Sequence, residues 1–286
     1  MLILAGIDEA GLGPTLGPLI TASAALAVPD GWLPDSPWER LAGAVAKDPG
    51  RRSPLPVVAD SKLSHRAGGI AALELSVGIF SLSANGSIRP PEISGADENA
   101  PAPHNCYEIQ RLDFPVAVEP EHLARAGERL AAELRRNEVK MTHLETASLF
   151  EPSLNRRFAN GLNKNQALLK ETGKHLVRLV ERFSGLPLLI LVDKQGGRND
   201  YLPFLGGLFP GVWLDVLETG AGISRYRLRL REAAAEIRFQ AKADRDAFAV
   251  ALASMAAKYV RERFMERLNA WFAKRLPNLR PTAGYP

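Results

Sequence analysis

Three times in this sequence an acidic residue closes or follows a segment built to be buried. Leu2 to Asp8 is short and apolar and runs into Gly6-Ile7-Asp8-Glu9-Ala10-Gly11-Leu12-Gly13-Pro14, so Asp8 and Glu9 stand at the end of a buried strand. A strand end lets a side chain face an open crevice while its backbone stays fixed. Successive strand residues point to opposite faces. Asp8 and Glu9 therefore serve one site only if the strand ends or twists there, and Gly11 and Gly13 supply that freedom. Leu188 to Val192 is a second buried strand, ended by Asp193 and followed by Lys194, Gly196 and Gly197. Lys242-Ala243-Asp244-Arg245-Asp246 stands before a long helical pattern. Plainer readings exist for each: turn charges for Asp8 and Glu9, a cap on a helix near Asn199 for Asp193, an N-cap for Asp244 or Asp246. Ser254, Lys258 and Arg261 are spaced to share one helix face, which either lines a site or meets solvent.

If the three segments meet, Asp8, Glu9, Asp193 and Asp244 share a small volume, and such a cluster needs protons or metal ions. Oxygen-only donors select hard cations, Mg²⁺ or Mn²⁺. Two such ions about 4 Å apart perform in-line phosphodiester hydrolysis. Rival chemistries lack their residues. The histidines are scattered, no Gly-x-Ser-x-Gly elbow or Walker A loop is present, and the single cysteine, Cys106, excludes a disulfide framework and a cysteine-rich zinc site. Gly11-x-Gly13-x-x-x-Gly17 misses the dinucleotide spacing, and two carboxylates before it would repel a pyrophosphate.

The elements that must position these residues follow from hydrophobic period and breakers. Leu2 to Asp8 and Pro18 to Val28 read as a hairpin. Residues 29–58 are proline-rich and irregular, and a helix begins around Asp60-Ser61-Lys62. Ser83 to Asn105 reads as a loop, Tyr107 to Val118 as a strand, and Glu121 to Arg136 and Asn163 to Phe183 as helices. Trp213 to Leu217, Arg225 to Leu230 and Ala235 to Ala241 read as strands, and Asp246 to Arg275 as a long helix. Strands followed by alternating helices and strands predict one α/β domain over 1–286, a mixed sheet flanked by helices with irregular insertions at 29–58 and 83–105. With 46% hydrophobic and 24% charged residues the 286-residue chain is an ordinary globular one. Uninterrupted apolar runs such as Leu188 to Val192 are short, so no bilayer-spanning helix is expected. No secretory signal is seen, and a cytoplasmic monomer is expected. Net charge is +4, but Gly222 to Pro286 holds 14 Lys+Arg against 6 Asp+Glu. That excess points to a polyanion such as nucleic acid, or to a solvated helix face.

Gly6-Ile7-Asp8-Glu9-Ala10-Gly11-x-Gly13-Pro14-x-x-Gly17-Pro18 resembles the opening motif of type 2 ribonuclease H (ribonuclease HII). Asp60-Ser61-Lys62 is similar to that family's Asp-Ser-Lys segment, Asn163 to Leu179 to its central helix, and Val192-Asp193 to its third acid. Asp244 with Ala253-Ser254-Met255-Ala256-Ala257-Lys258-Tyr259-Val260-Arg261-Glu262 resembles its fourth acid and following helix, and Gly284-Tyr285-Pro286 its late Gly-Tyr motif. The resemblance implies a ribonuclease H-like fold and two-metal endonucleolysis of RNA in RNA–DNA hybrids or at ribonucleotides embedded in duplex DNA. It implies that Asp8, Glu9, Asp193 and Asp244 hold Mg²⁺ or Mn²⁺. It implies that Gly11, Leu12 and Gly13 read the ribose 2′-OH, that Tyr285 stacks at the junction, and that Ser61, Lys62, Ser254 and Lys258 contact phosphate. Three departures mark a divergent member. Leu12 stands where the family has Arg, removing a charged hydrogen bond of roughly 1.5–3 kcal/mol. Lys194 replaces a glycine and is placed to pair with a carboxylate or a phosphate. Tyr285 has no following segment to anchor it. The alternatives are a nuclease of this fold with another nucleic-acid substrate, a non-catalytic nucleic-acid-binding relative, and an unrelated α/β protein whose acids are caps.

Overall fold

Small and branched apolar residues alternate through Leu2–Ala10 (β1) and Leu19–Val28 (β2), and the two pair antiparallel from Leu2↔Val28 to Ala10↔Ile20. In the computed structural model, which describes residues 1–48, 55–86, 92–94, 104–107, 112–195 and 197–285, this hairpin is the middle of an eight-stranded mixed sheet. The other strands are Glu92–Ser94 (β3), Lys140–Leu149 (β4), Leu188–Asp193 (β5), Trp213–Thr219 (β6), Ile223–Arg229 (β7) and Ala234–Gln240 (β8). Their order is β3-β4-β2-β1-β5-β8-β7-β6. β5 runs parallel to both β1 and β8, while β8, β7 and β6 form an antiparallel meander.

Each face of the sheet carries its own core. Ser61–Asn85 (α2), Pro120–Arg136 (α3) and Phe248–Ala273 (α8) cover one face, burying Leu4, Ile20, Leu26, Leu189 and Leu191. Lys164–Arg182 (α5) and Leu202–Leu208 (α6) cover the other, burying Ile3, Ile7, Ile190, Val192 and Phe239. The first ten residues of α8 are buried all round, as expected of a helix that is apolar on every side. Contact between α8 and β1 is unusually close at Gly6, where an added Cβ would lie 2.2 Å from the Val250 backbone nitrogen. That contact sets the height of α8 above the sheet.

Several elements differ from the sequence reading. Tyr107 to Val118 is not a strand in its described parts: Asn105–Tyr107 is a 3₁₀ turn and 112–118 is irregular. Pro115 has no N–H for a ladder, and the buried Glu74 carboxylate accepts the next three amides, of Val116, Ala117 and Val118, together with the Tyr259 hydroxyl. Residues 108–111 of that stretch lie outside the described residues, as do 87–91 and 95–103 of the expected loop and 49–54 of the proline-rich segment. The rest of 29–58 is mostly irregular but contains Ser36–Arg40 (α1) and sends Trp38, Leu41, Val45 and Val58 into the core. The long C-terminal helix is divided. Ala243–Asp246 (α7) ends at an extended Ala247, and α8 starts with the Phe248 amide donating to the Pro34 carbonyl. β4, α6 and Glu151–Ala159 (α4) are additional elements. One helix, α2, is long and apolar enough to cross a membrane by length and composition, contrary to expectation. It is broken at Gly69 (φ 64°, ψ −154°) and packs on α3 and α8.

Replacing Gly6 with alanine forces β1 and α8 apart, with a cost of about 3 kcal/mol expected from overpacking. Thermal melting should drop clearly for Gly6→Ala and stay unchanged or rise for Gly206→Ala, where an added Cβ meets nothing within 4 Å. Equal melting of Gly6→Ala and the wild type would contradict this account of the contact.

Candidate active site

The parallel pairing of β1 with β5 ends at Ile7↔Val192, and the next residue on each strand is an aspartate. Asp8 and Asp193 thus stand side by side, on the face shared with Leu4, Leu189 and Leu191 and covered by α8. β1 does not stop at Asp8. It continues against β2 to Ala10. Asp8 and Glu9 both line one cleft, because β5 ends beside them and leaves the crevice open. α7 brings Asp244 to the same opening.

The cleft gathers all twelve residues singled out above: Asp8, Glu9, Asp193 and Asp244; Gly11, Leu12 and Gly13; Ser61, Lys62, Ser254 and Lys258; and Tyr285. It also takes in Asp60 and Arg261, to which the sequence reading gave no role. Asp60 is the N-cap of α2, accepting hydrogen bonds from the Lys62 and Leu63 amides at 2.9 and 3.3 Å. Its charge nonetheless raises the proton affinity of Asp244.

Electrostatics tie the acids together. Burial, then Glu9, then Asp193 push the Asp8 carboxyl well above the usual range. Burial and the Asp193 charge push Glu9 up to about 7, opposed by a side-chain hydrogen bond with Asp8 and then by Lys62. Burial also raises Asp193 and Asp244. Fixed donors work the other way: the Ala243 amide donates to Asp193 Oδ1 at 2.9 Å, and the Glu9 amide to Asp8 Oδ1 at 2.7 Å. The Ser254 hydroxyl hydrogen-bonds to Asp8 and lies within hydrogen-bond distance, 3.0 Å, of the Ser61 hydroxyl.

The plainer readings of these acids are not met. Neither α7 nor α8 has a side-chain N-cap; Asp246 accepts from the Gln240 amide group, and Asp193 is held by Ala243. It is Asp200 that accepts from the first amide of α6. Ser254 and Arg261 are buried and Lys258, paired with Glu262 at 2.6 Å, is mostly so, so this helix stripe is no solvated face. Among the described residues Lys194 pairs with no carboxylate. Its ammonium donates to the carbonyls of Gly220 and Ala221 and to Asn199, tying the chain after β5 to the β6–β7 turn.

As a donor set the cleft suits a hard divalent cation. It offers only carboxylate oxygens as charged ligands, and Glu9 Oε2 is buried with no hydrogen-bond partner. Among the described residues, however, no three His, Cys, Asp or Glu side chains already converge as a metal cage. An ion would have to draw them together.

The loop after β1 and the C-terminal tail are held by one buried cation. Arg261 is 3% exposed, and its guanidinium donates to the Leu16 carbonyl at 3.2 Å and the Ala283 carbonyl at 3.1 Å. The Thr15 and Leu16 amides donate to the Gly284 carbonyl. These bonds anchor the chain next to Tyr285, which is 60% exposed beside Gly13. Gly11 is in the left-handed region (φ 99°), whereas Gly13 is not. A Cβ at Gly13 would meet the Tyr285 ring at 3.5 Å, an ordinary van der Waals contact. Leu12 packs on Leu19, Leu149 and Leu154.

Arg261→Met removes both charged hydrogen bonds and leaves two carbonyls to find other partners. A loss of about 2–4 kcal/mol is expected, with faster hydrogen exchange confined at first to Thr15, Leu16 and residues 282–285. Unchanged exchange in those segments would contradict the role assigned to Arg261.

No family model matches the sequence, and no curated protein matches it. Among solved structures the chain is similar to the ribonuclease HII of Archaeoglobus fulgidus in its complex with PCNA (19% identity, 99% of this chain and 81% of that chain, TM-score 0.44). It is similar to ribonuclease H2 of Pyrococcus horikoshii OT3 (17% identity, 99% and 81%, TM-score 0.42). It is also similar to the Bst ribonuclease HIII with Mn²⁺ (19% identity, 94% and 55%, TM-score 0.41). The first of these carries the family name that the sequence motifs resemble. At TM-scores below 0.5 these likenesses assign no residue a role, and the functional reading rests on the cleft itself.

Proposed function

We propose that this chain is a divalent-metal-dependent endonuclease that cleaves RNA in RNA–DNA hybrids or at ribonucleotides embedded in duplex DNA. One observation carries the reading: four carboxylates from separate parts of the chain meet in one crevice rimmed by Lys62, Lys258 and a glycine-containing loop. Caps and surface charges have no reason to converge. Buried acids that raise one another's proton affinity are the mark of a functional site rather than of a structural one.

Asp8, Glu9, Asp193 and Asp244 would hold Mg²⁺ or Mn²⁺, which when bound supplies Lewis-acid polarisation of the phosphate and an activated water. The chain's own residues do the rest. Lys62 and Lys258 offer positive charge at the rim, where the phosphodiester of a bound strand would lie. Ser254 holds Asp8 by a hydrogen bond and links it to Ser61 at the start of α2. The Ala243 amide fixes Asp193. The backbone from Gly11 to Gly13 is free of side chains at two of its three positions, so a ribose edge can approach its amides. Tyr285 presents an exposed ring beside them for stacking. Leu12 is occupied on its small apolar cluster and reaches no phosphate, so reading by the loop falls to the backbone. This feature favours one second reading, a nuclease of the same mechanism with relaxed preference for ribose.

The test is cleavage of three labelled duplexes in Mn²⁺ or Mg²⁺: an RNA–DNA hybrid, a DNA with one embedded ribonucleotide, and plain DNA. The expected result is cutting of the first two, on the 5′ side of the embedded ribonucleotide, leaving 3′-OH and 5′-phosphate ends. Asp193→Asn should slow it roughly a thousandfold or more, the scale of losing a primary catalytic group. Equal cutting of plain DNA would favour the second reading. No divalent-dependent cutting of any duplex would overturn both.

A further inference from the structure

Several of the basic residues counted along the C-terminal sequence are held in ion pairs within the fold. Arg225 and Arg238 share Glu236, Arg229 pairs with Asp215, Arg263 with Glu266 and Lys258 with Glu262. Arg261 is buried. A different cationic surface lies in the part of the chain whose net charge is negative. A groove between α4 and α5 is lined by Arg156, Arg157, Lys170 and Lys174, with the side chains of Ser153 and Asn160 beside them. Arg157 and Lys174 share the buried Glu171. Lys170 makes no ion pair among the described residues and is exposed. The lining itself carries four cationic side chains and no carboxylate, furnished with a hydroxyl and an amide, the donor types that hold phosphate oxygens.

The groove is not isolated from the acidic cleft. A depression that shares Gly13 and Pro14 with the cleft runs onto the opposite side of α4, where it meets Asn155, the exposed Phe158 and Lys164. The Lys164 ammonium donates to the Pro14 carbonyl, which fixes the start of α5 to the loop of the active site. The one acid there, Glu151, is taken up by the Tyr107 hydroxyl and the Gly17 amide. One face of α4 therefore borders the extension of the cleft and the other borders the cationic groove. The two are separated by a single helix, about 10 Å across. Phe158 exposes an aromatic ring beside Lys164 in that depression, a side chain on which a nucleic-acid base can stack.

We infer that the α4–α5 groove is a second nucleic-acid contact, binding backbone phosphates outside the scissile region, so that a long duplex is held at two places and a short one only at the cleft. The inference rests on the nuclease reading above. It adds a binding surface away from the acids and assigns Arg156 and Lys170 to grip rather than to chemistry.

Binding of fluorescein-labelled duplex DNA with one central ribonucleotide tests it. Duplexes of about 8 and about 24 base pairs, roughly 27 and 80 Å long, are titrated in Ca²⁺ at several salt concentrations, with wild type and an Arg156→Glu/Lys170→Glu variant. Circular dichroism checks that the variant is folded. The expected result is at least about a tenfold weaker affinity of the variant for the long duplex, with a salt slope smaller by about 2. Affinity for the short duplex should be unchanged. Lys170→Gln, which only removes a charge, should lower the slope by about 1 and serves if the double variant misfolds. Unchanged affinity and slope for the long duplex would overturn the inference while leaving the nuclease reading intact. Equal weakening of the short duplex would overturn it too, since the groove would then act only through overall charge. Failure of the wild type to bind either duplex would remove the nuclease reading and this inference with it.

Discussion

Four carboxylates crowded into one poorly hydrated crevice repel one another, and much of the surrounding structure serves to keep them there. Burial is the largest influence on each of Asp8, Glu9, Asp193 and Asp244, and their mutual charge adds to it for three of the four. A carboxylate taken out of water needs compensating donors or cations. The fold supplies some of this: the Ala243 amide on Asp193, the Ser254 hydroxyl on Asp8, and the positive charge of Lys62 near Glu9, Asp193 and Asp244. It leaves Glu9 Oε2 without a partner. Incomplete compensation is the condition in which a site gains most from a bound cation and loses most stability without one.

Two close backbone contacts hold this arrangement against its own repulsion. Gly6 lets α8 lie directly on β1, so the helix that carries Ser254 and Lys258 and the strand that carries Asp8 keep a fixed separation. Arg261 ties the loop after β1 to the end of the chain, placing Gly13 and Tyr285 together at the mouth of the cleft. In each case residues about 250 positions apart in sequence become neighbours. The site therefore depends on the complete fold and on no single local motif.

The carboxylates, the glycine-containing loop after β1 and the tail were legible in the sequence because their motifs are local and strand ends are marked by glycine, proline and acid. The central sheet was legible where apolar runs are continuous, as in β1, β2 and β5. β4 was not, because its polar residues conceal the strand period. His143 is hydrogen-bonded to Ser23, and Glu145 is paired with Arg178, so both are buried by partners that only the fold provides. The segment after Tyr107 reads as a strand by composition, yet its amides are taken by Glu74 from a helix some forty residues earlier. Arg261 could be placed on the correct helix face from its spacing. Its work as a tether could not, since its acceptors are backbone carbonyls that leave no trace in residue type. The charge count pointed toward the C-terminal part, where several of the basic residues are held in ion pairs by the fold.

A divalent ion held in the cleft would relieve uncompensated negative charge at Asp8 and Glu9. Thermal melting of wild type and Glu9→Gln from pH 5 to pH 8, with EDTA or with Mn²⁺, tests it most directly. Glu9 is held at about 7 in the fold, against 4.5 for an unperturbed carboxyl. The folded state therefore keeps a proton that the unfolded chain has lost. That stabilisation is fully present below pH 4.5 and is lost as pH rises through about 7. The account predicts that wild-type melting in EDTA falls across this window, that Mn²⁺ raises it and flattens the fall, and that Glu9→Gln shows a weaker pH dependence and a smaller response to Mn²⁺. Melting that ignores Mn²⁺, or identical pH profiles for the two proteins, would contradict it.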